Sequence, residues 1–166
     1  MYFRLKWFGV VSLLFLSACS SFAPLATMSG GTEQQLVARL GAPEMRRPMP
    51  DGTTRLEFPG GPYGRQTWFV YVDAAGQALR SEQVLTEEHF NRIAPGMAQD
   101  EVRQRLGRPG EVLTLGRSRG VVWSYRYQSP FCQWFQVEIA TDQTVRSSGY
   151  GEPPECDRPT WFLFSR

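Results

Sequence analysis

The sequence predicts an α+β fold of two tandem repeats, each a short helix (or helix pair) followed by a three-stranded antiparallel sheet, with the helices packed on one sheet face. Two observations predict it. The chain matches itself at an offset of 66 residues, most clearly where Arg39-Leu40-Gly41 falls on Arg105-Leu106-Gly107. After each helix come short runs of strand-forming residues, and the turns between them are too short for a parallel return.

The same offset of 66 residues, applied without a gap, divides the folded part of the chain into two repeats. It places Trp68-Phe69 on Trp134-Phe135 and Arg80-Ser81 on Arg146-Ser147. A single unit of this size would be marginally stable, so we expect the two units to pack together. The parts are a signal segment, a tether, two repeats and an apolar C-terminal segment, at residues 1–18, 19–29, 30–85, 86–157 and 158–166.

The first residues have the build of a bacterial lipoprotein signal. Arg4 and Lys6 are positively charged, Trp7–Leu16 is apolar and too short to span a bilayer, and small residues lead to Cys19. Leu16-Ser17-Ala18-Cys19 resembles a lipobox, in which the chain is cut before a diacylated cysteine. Ser20 resembles the outer-membrane sorting pattern. We expect acyl chains on Cys19 to anchor the protein on the periplasmic face of the outer membrane; the alternative is an ordinary signal peptide or a short membrane anchor.

Loss of residues 1–18 would leave a chain without net charge. The full chain has 18 basic and 16 acidic residues, and Arg4 and Lys6 lie in the removed segment. The sequence therefore has no basic excess that would favour nucleic acid as a partner. Aromatic residues make up 13% of the chain and charged residues 20%, which predicts a folded domain.

Each repeat opens with a helix whose ends are marked in the sequence. In the first repeat, Thr32 and Gln35 have the spacing of a capping box, and Gly41 stands where the helix should end. In the second repeat, Val102 and Leu106 form the apolar stripe. A short additional helix from about Glu87 to Arg92 precedes it. The predicted strands are residues 55–58, 67–73, 78–85, 121–127, 134–139 and 144–150.

Two cysteines remain beside Cys19. In an oxidising compartment such as the periplasm, the pair Cys132 and Cys156 predicts a disulfide. The alternative is two buried free thiols.

The sequence offers little that could support catalysis. His89 is the only histidine, so neither a cluster of histidine metal ligands nor a Cys–His nucleophile pair with a spare ligand can be built. Glu87 and Glu88 suit the start of a helix, where negative charge is favourable. Gly60–Gly64 is typical of a hairpin loop, since it lacks the lysine of a phosphate-binding loop. We expect no enzymatic activity, cofactor, metal or small-molecule substrate.

Alternation along residues 134–139 predicts a protein-binding face. Phe135, Val137 and Ile139 point one way, so Trp134 and Gln136 should point to solvent. The repeat places unit-one residues on the same face. The expected exposed interface is therefore Trp68, Val70, Val72, Trp134 and Gln136. The alternative is that a loop, or the C-terminal segment 158–166, covers this face.

Residues 89–113, HFNRIAPGMAQDEVRQRLGRPGEVL, resemble the start of the SmpA/OmlA lipoprotein domain, the family of the BamE component of the outer-membrane β-barrel assembly machine. The matching features are the Pro-Gly-Met turn, the short helix and Leu106-Gly107-x-Pro109. The tandem arrangement is similar to the β-lactamase inhibitory protein type of fold. The resemblance implies two BamE-like repeats that bind an envelope protein, without catalysis, in envelope or β-barrel assembly or maintenance. The alternative is an inhibitor-like or ligand-binding lipoprotein that acts on a periplasmic enzyme or cell-wall component.

Overall fold

The computed structural model describes residues 31–61, 63–116 and 119–156. Two four-stranded antiparallel sheets follow the helices, each with its strands in chain order. The first repeat comprises α1 (Glu33–Leu40), β1 (Met45–Pro48), β2 (Thr54–Pro59), β3 (Thr67–Val72) and β4 (Ala78–Gln83). The second comprises α2 (Glu87–Phe90), α3 (Gln99–Leu106), β5 (Glu111–Leu115), β6 (Gly120–Arg126), β7 (Trp134–Ile139), β8 (Val145–Gly151) and a 3₁₀ turn (Pro154–Cys156). The mixed α+β class is as predicted, but the three-stranded sheets are wrong because β1 and β5 add a strand to each.

The ends of the helices agree with the sequence signals. Gln35 N donates to Thr32 Oγ1 at 3.3 Å, and Thr32 N donates to Gln35 Oε1 at 2.9 Å, so the predicted capping box is formed. Gly41 and Gly107 end α1 and α3 with φ angles of 83° and 76°, which favour glycine.

The two repeats share a hydrogen bond between the residue two positions before the helix and the first residue of the last strand. Ala78 N donates to Gly31 O at 2.9 Å, and Val145 N donates to Met97 O at 2.8 Å. Gly31 and Met97 are 66 residues apart, whereas Ala78 and Val145 are 67 apart. The second repeat therefore contains one extra residue between its helix and its last strands.

The extra residue lies in the hairpin between the first two strands of the sheet. Pro48 pairs with Thr54 in the first repeat, and Thr114 pairs with Val121 in the second. Five residues separate the first pair and six the second. From β2 onwards, positions in the two repeats thus correspond at an offset of 67, and the gap-free offset of 66 is wrong for these strands.

This single residue decides which side chains share a face, because successive residues of a strand point to opposite faces. Trp68 corresponds to Phe135, and Trp134 corresponds to Thr67. The two tryptophans that the sequence placed on one face therefore occupy non-equivalent faces of their sheets.

Helix α1 contributes to an apolar cluster on one face of the first sheet. Its stripe residue Leu36 is buried there, with Leu40 and Trp68 packed against the cluster. The sheet residues of this cluster are Leu56, Phe58, Val70, Val72 and Ala78. An amphipathic helix needs such a partner for its apolar stripe.

A second, larger cluster joins both sheets through α3. It contains Phe69 and Tyr71 from the first sheet, Val102 and Leu106 from α3, and a set from the second sheet that includes Trp123, Tyr125, Tyr127, Phe135, Val137 and Ile139. At Gly107 a Cβ atom would lie 3.1 Å from Thr67 Cγ2, so the end of α3 closely approaches the first sheet. Since α3 contacts both sheets, the predicted arrangement of helices on one sheet face is not the one observed.

Candidate functional site

The first-repeat part of the predicted interface is buried. Val70 and Val72 have 0% and 2% of their surface exposed, and Trp68 is half-buried in the same cluster. Leu36 of α1 belongs to this cluster, so the helix of the repeat itself contributes to covering the face. The expectation that Trp68, Val70 and Val72 form an exposed strip is therefore wrong.

The second-repeat part lies on a polar sheet face. Trp134 is only 4% exposed, and the guanidinium carbon of Arg126 lies 4.0 Å from the centroid of its ring. Gln136 is half-buried, and its Nε2 donates to Ser124 Oγ at 3.4 Å. Trp134 and Gln136 share a face, as predicted, but the tryptophan is not an exposed interface residue.

Strand β5 carries the exposed apolar side chains that the predicted face lacks. Val112 and Leu113 are 53% and 58% exposed. Val112 pairs with Trp123 and Leu113 with Val122, so the two side chains lie on opposite faces of the sheet. Within the described chain, β5 pairs with β6 alone. Its outer side therefore presents backbone N–H and C=O groups that a further strand can bind.

The matching edge of the first repeat is protected. At the positions that correspond to Val112, Leu113 and Thr114, strand β1 carries Arg46, Arg47 and Pro48. Charged side chains and proline both oppose the addition of a strand to a sheet edge. The edge strands β4 and β8 also carry charges within the strand, at Arg80, Glu82 and Arg146. Among the edge strands of the described residues, β5 is thus the one with an uncharged apolar stretch.

The predicted disulfide is formed. Cys132, in the loop between β6 and β7, is joined to Cys156 in the 3₁₀ turn, with a Cα–Cα distance of 6.0 Å. Phe131 beside it is exposed. The crosslink ties the hairpin loop to the end of the described chain.

In the described part of the chain, three tyrosines have raised pKa values. Burial raises the pKa of Tyr125, so its hydroxyl stays protonated. Burial and a 2.7 Å hydrogen bond to Glu82 raise the pKa of Tyr71. His89 Nδ1 lies 2.8 Å from Thr86 Oγ1, within its own helix cap. In the described ranges, no group of three His, Cys, Asp or Glu side chains could hold a metal ion.

The predicted anchor at Cys19, the tether and the segment 158–166 lie outside the described residues. In the part of the chain that is described, no helix is both long and apolar enough to cross a bilayer.

Comparisons with known proteins identify no family for this chain: no family model matches it, and no curated protein matches it. Among solved structures it is similar to an extracellular protein containing an SCP domain from Bacillus anthracis str. Ames, with 13% identity and a TM-score of 0.35, over 86% of this chain and 50% of that one.

Two further structures are similar. A cysteine-rich secretory protein from Staphylococcus aureus subsp. aureus Mu50 has 11% identity and a TM-score of 0.31, over 78% of this chain and 46% of that chain. A DUF4309 family protein from Bacillus subtilis subsp. subtilis str. 168 has 17% identity and a TM-score of 0.28, over 77% and 82%. The chain spans about half the length of the first two proteins. Similarities this weak carry no argument about its fold or function.

The open edge is the feature that the sequence prediction missed. Val112 and Leu113 follow Gly110 in the run Glu-Val-Leu-Thr-Leu, which has the composition of a short strand. That run was a detectable signal for a strand. Its position at the edge of the sheet depends on the strand order, which composition does not reveal.

Proposed function

We propose that this protein is an outer-membrane-anchored periplasmic lipoprotein that acts as a non-catalytic protein-binding module in envelope or β-barrel assembly or maintenance. The observation that carries protein binding is the open edge of β5, with its exposed Val112 and Leu113. The anchor rests on the charge, apolar run and cysteine of residues 1–20.

Binding at this edge proceeds by strand addition. An extended segment of the partner pairs with the outer backbone groups of β5, and these hydrogen bonds supply affinity without regard to sequence. Side chains of the segment that flank Val112 and Leu113 supply the specificity, because the two residues offer an apolar contact on each face of the sheet. The partner is therefore a protein with an extended segment that is apolar on both faces.

The tether favours a partner near the membrane. The described chain starts at Gly31, whose carbonyl is bonded to Ala78 N at the start of β4. A flexible chain of ten residues, the number in 20–29, would have an r.m.s. reach of roughly 17 Å. This short reach would keep the folded part close to the bilayer, which favours membrane-embedded or membrane-adjacent partners.

The test places a photocrosslinking amino acid at Leu113 and, as a matched control, at Leu79. Leu79 is 54% exposed and lies on the edge strand β4, where Arg80 follows it. Crosslinking in intact cells should capture a defined envelope protein from position 113 and not from position 79. That protein is then purified, and its affinity for the lipoprotein is measured directly.

A variant that copies the proline of β1 sharpens the test. Thr114→Pro places proline at the position that Pro48 occupies in the first repeat, and proline is tolerated on edge strands where its nitrogen faces outward. The variant should fold, with an unchanged far-UV spectrum, and should lose both the crosslink and the measured binding. Equal crosslinking from positions 79 and 113, or undiminished binding by Thr114→Pro, would rule out β5 as the binding edge.

A further inference from the structure

A charged cleft of about 270 Å³ lies between the edge of the first sheet and α3. It is separate from the outer edge of β5. Its lining comes from β1, β2, β3 and α3, together with the residues that follow α3. The charged side chains of its lining are Glu44, Arg47, Glu57, Asp100, Arg103 and Arg108.

The carboxylate of Glu57 is already neutralised. Its Oε1 accepts a 2.6 Å hydrogen bond from Nη2 of Arg55, and both side chains are buried. The guanidinium carbon of Arg55 lies 4.1 Å from the centroid of the Phe69 ring. Glu57 therefore lines the cleft as a paired group and adds no net negative charge.

Arg47 is the cleft residue with an unmet hydrogen bond. It is the register partner of Arg55, so both side chains leave the same face of the sheet. Its Nε is buried without a hydrogen-bond partner among the described residues, and Nε of Arg55 is in the same state. Its Nη2 contacts Met45 Sδ at 3.4 Å, a weak acceptor. Buried donors without acceptors are rare in proteins because they cost free energy.

The remaining charges leave the cleft positive. Arg108 is paired with Glu44, at 3.3 Å. Arg103 forms no ion pair within the described ranges, and its guanidinium carbon lies 4.9 Å from the centroid of the Trp123 ring. Among the described residues, the unpaired charges of the cleft are therefore the two guanidinium groups of Arg47 and Arg103 and the single carboxylate of Asp100.

We infer that this cleft binds a small oxyanion, a carboxylate or a phosphate group, between the guanidinium groups of Arg47 and Arg103. A guanidinium presents its N–H donors in a planar fork that matches two oxygens of either anion. Such a ligand offers the Arg47 guanidinium an acceptor stronger than the thioether of Met45, and it balances the excess positive charge. The site does not depend on strand addition at β5, so either proposal can fail without the other.

The experiment titrates the full chain with phosphate and, in a second arm, with acetate, each replacing chloride at constant ionic strength. The arginine Nε–H signals are followed by NMR. We expect saturable shifts of the Arg47 signal. Arg47→Gln and Arg103→Gln should each weaken binding roughly tenfold or more, because each removes a charge-assisted contact. Arg39→Gln, which removes an exposed arginine on α1, should leave binding unchanged.

Each outcome has a defined meaning. Saturation by phosphate alone identifies a phosphate ligand, saturation by acetate alone a carboxylate ligand, and saturation by both a site that accepts either group. Shifts that never saturate, or an equal loss of affinity in Arg39→Gln, would overturn the proposal. Arg103 is exposed on α3, so its variant tests the site even where Arg47→Gln perturbs the sheet.

Discussion

Arg55 Nη1 donates a hydrogen bond of 2.9 Å to the backbone carbonyl oxygen of Gln104. This bond connects β2 of the first repeat to the last turn of α3 in the second. The carbonyls of a helix's last turn have no partner within the helix, and they carry the negative end of its dipole. A buried arginine from one repeat thus satisfies the helix end of the other.

Replacing Arg55 by alanine should strongly destabilise the fold. The variant leaves Glu57 buried without its partner and Gln104 O without its donor. We expect the free energy of unfolding to fall by about 3–5 kcal/mol, as when one partner of a buried ion pair is removed. Urea denaturation followed by tryptophan fluorescence measures it.

Arg92→Ala is the matched control. Arg92 is an exposed arginine in the turn after α2, and it pairs with Glu88 on that helix. It should cost less than about 1 kcal/mol. Equal effects of Arg55→Ala and Arg92→Ala would contradict a structural role for the Arg55–Gln104 bond.

Trp134→Ala should act on stability. The side chain is buried and stacks under Arg126, so truncation should lower the free energy of unfolding by about 3–5 kcal/mol. Phe131→Ala, at an exposed site in the preceding loop, should change it by less than about 1 kcal/mol. A melting temperature that Trp134→Ala leaves unchanged would indicate an exposed tryptophan instead.

Opening the Cys132–Cys156 disulfide should destabilise the protein by roughly 3 kcal/mol, because the reduced chain regains the entropy of a loop spanning 24 residues. Chemical denaturation with and without reductant measures the difference. When protein isolated from cells is denatured without reductant, thiol labelling should modify neither Cys132 nor Cys156. Labelling of both would show that the bond does not form in cells.

The Asp142 carboxylate should titrate below its usual range. A hydrogen bond of 2.7 Å from Thr144 Oγ1 is the main cause of its lowered pKa, assisted by one from Thr144 N. A lowered pKa means that this interaction stabilises the folded state above the ordinary pKa of aspartate, and that the stabilisation is lost as the pH falls through the lowered pKa.

Thr144→Ala should raise the pKa of Asp142 toward its ordinary value, which carboxyl-carbon NMR titration measures. Thr53→Ala, at the similar turn of Asp51, is the parallel variant and should leave Asp142 unchanged. An unaltered Asp142 pKa in Thr144→Ala would assign the shift to another group.

Cys19→Ala should release the protein from the outer membrane. The cysteine lies outside the described residues, so this prediction rests on the lipobox resemblance alone. Two or three acyl chains anchor a protein stably in a membrane. The variant would carry no acyl chains and would lose this attachment. Membrane fractionation checks it, and retention of the variant in the outer membrane would point to a different anchor.

Local features could be predicted from the sequence because they depend on residues close together in the chain or on composition. The Thr32–Gln35 capping box needs groups only three residues apart, and Gly41 ends its helix through its own backbone angle. The Cys132–Cys156 pair followed from cysteine number and compartment. Each of these predictions is confirmed by the structure.

The sequence did not correctly predict which side chains share a face of the strands. The match of Trp68 to Trp134 is real as a sequence pattern, but one added residue in the β5–β6 hairpin shifts the true correspondence by one position. A strand has a period of two, so a shift of one position exchanges the two faces of the sheet. Only the pairing of β2 with β3 and of β6 with β7 fixes the register.

By itself, then, the sequence determined the α+β class, the helix ends and the disulfide, since each depends on neighbouring residues or on composition. The tertiary structure alone decided that α3 contacts both sheets, that Val70 is buried, and that Val112 lies on an open edge. These facts depend on contacts between residues far apart in the chain. Apolar side chains of β3 look alike in sequence whether helix or solvent faces them, because burial is a property of the assembled layers.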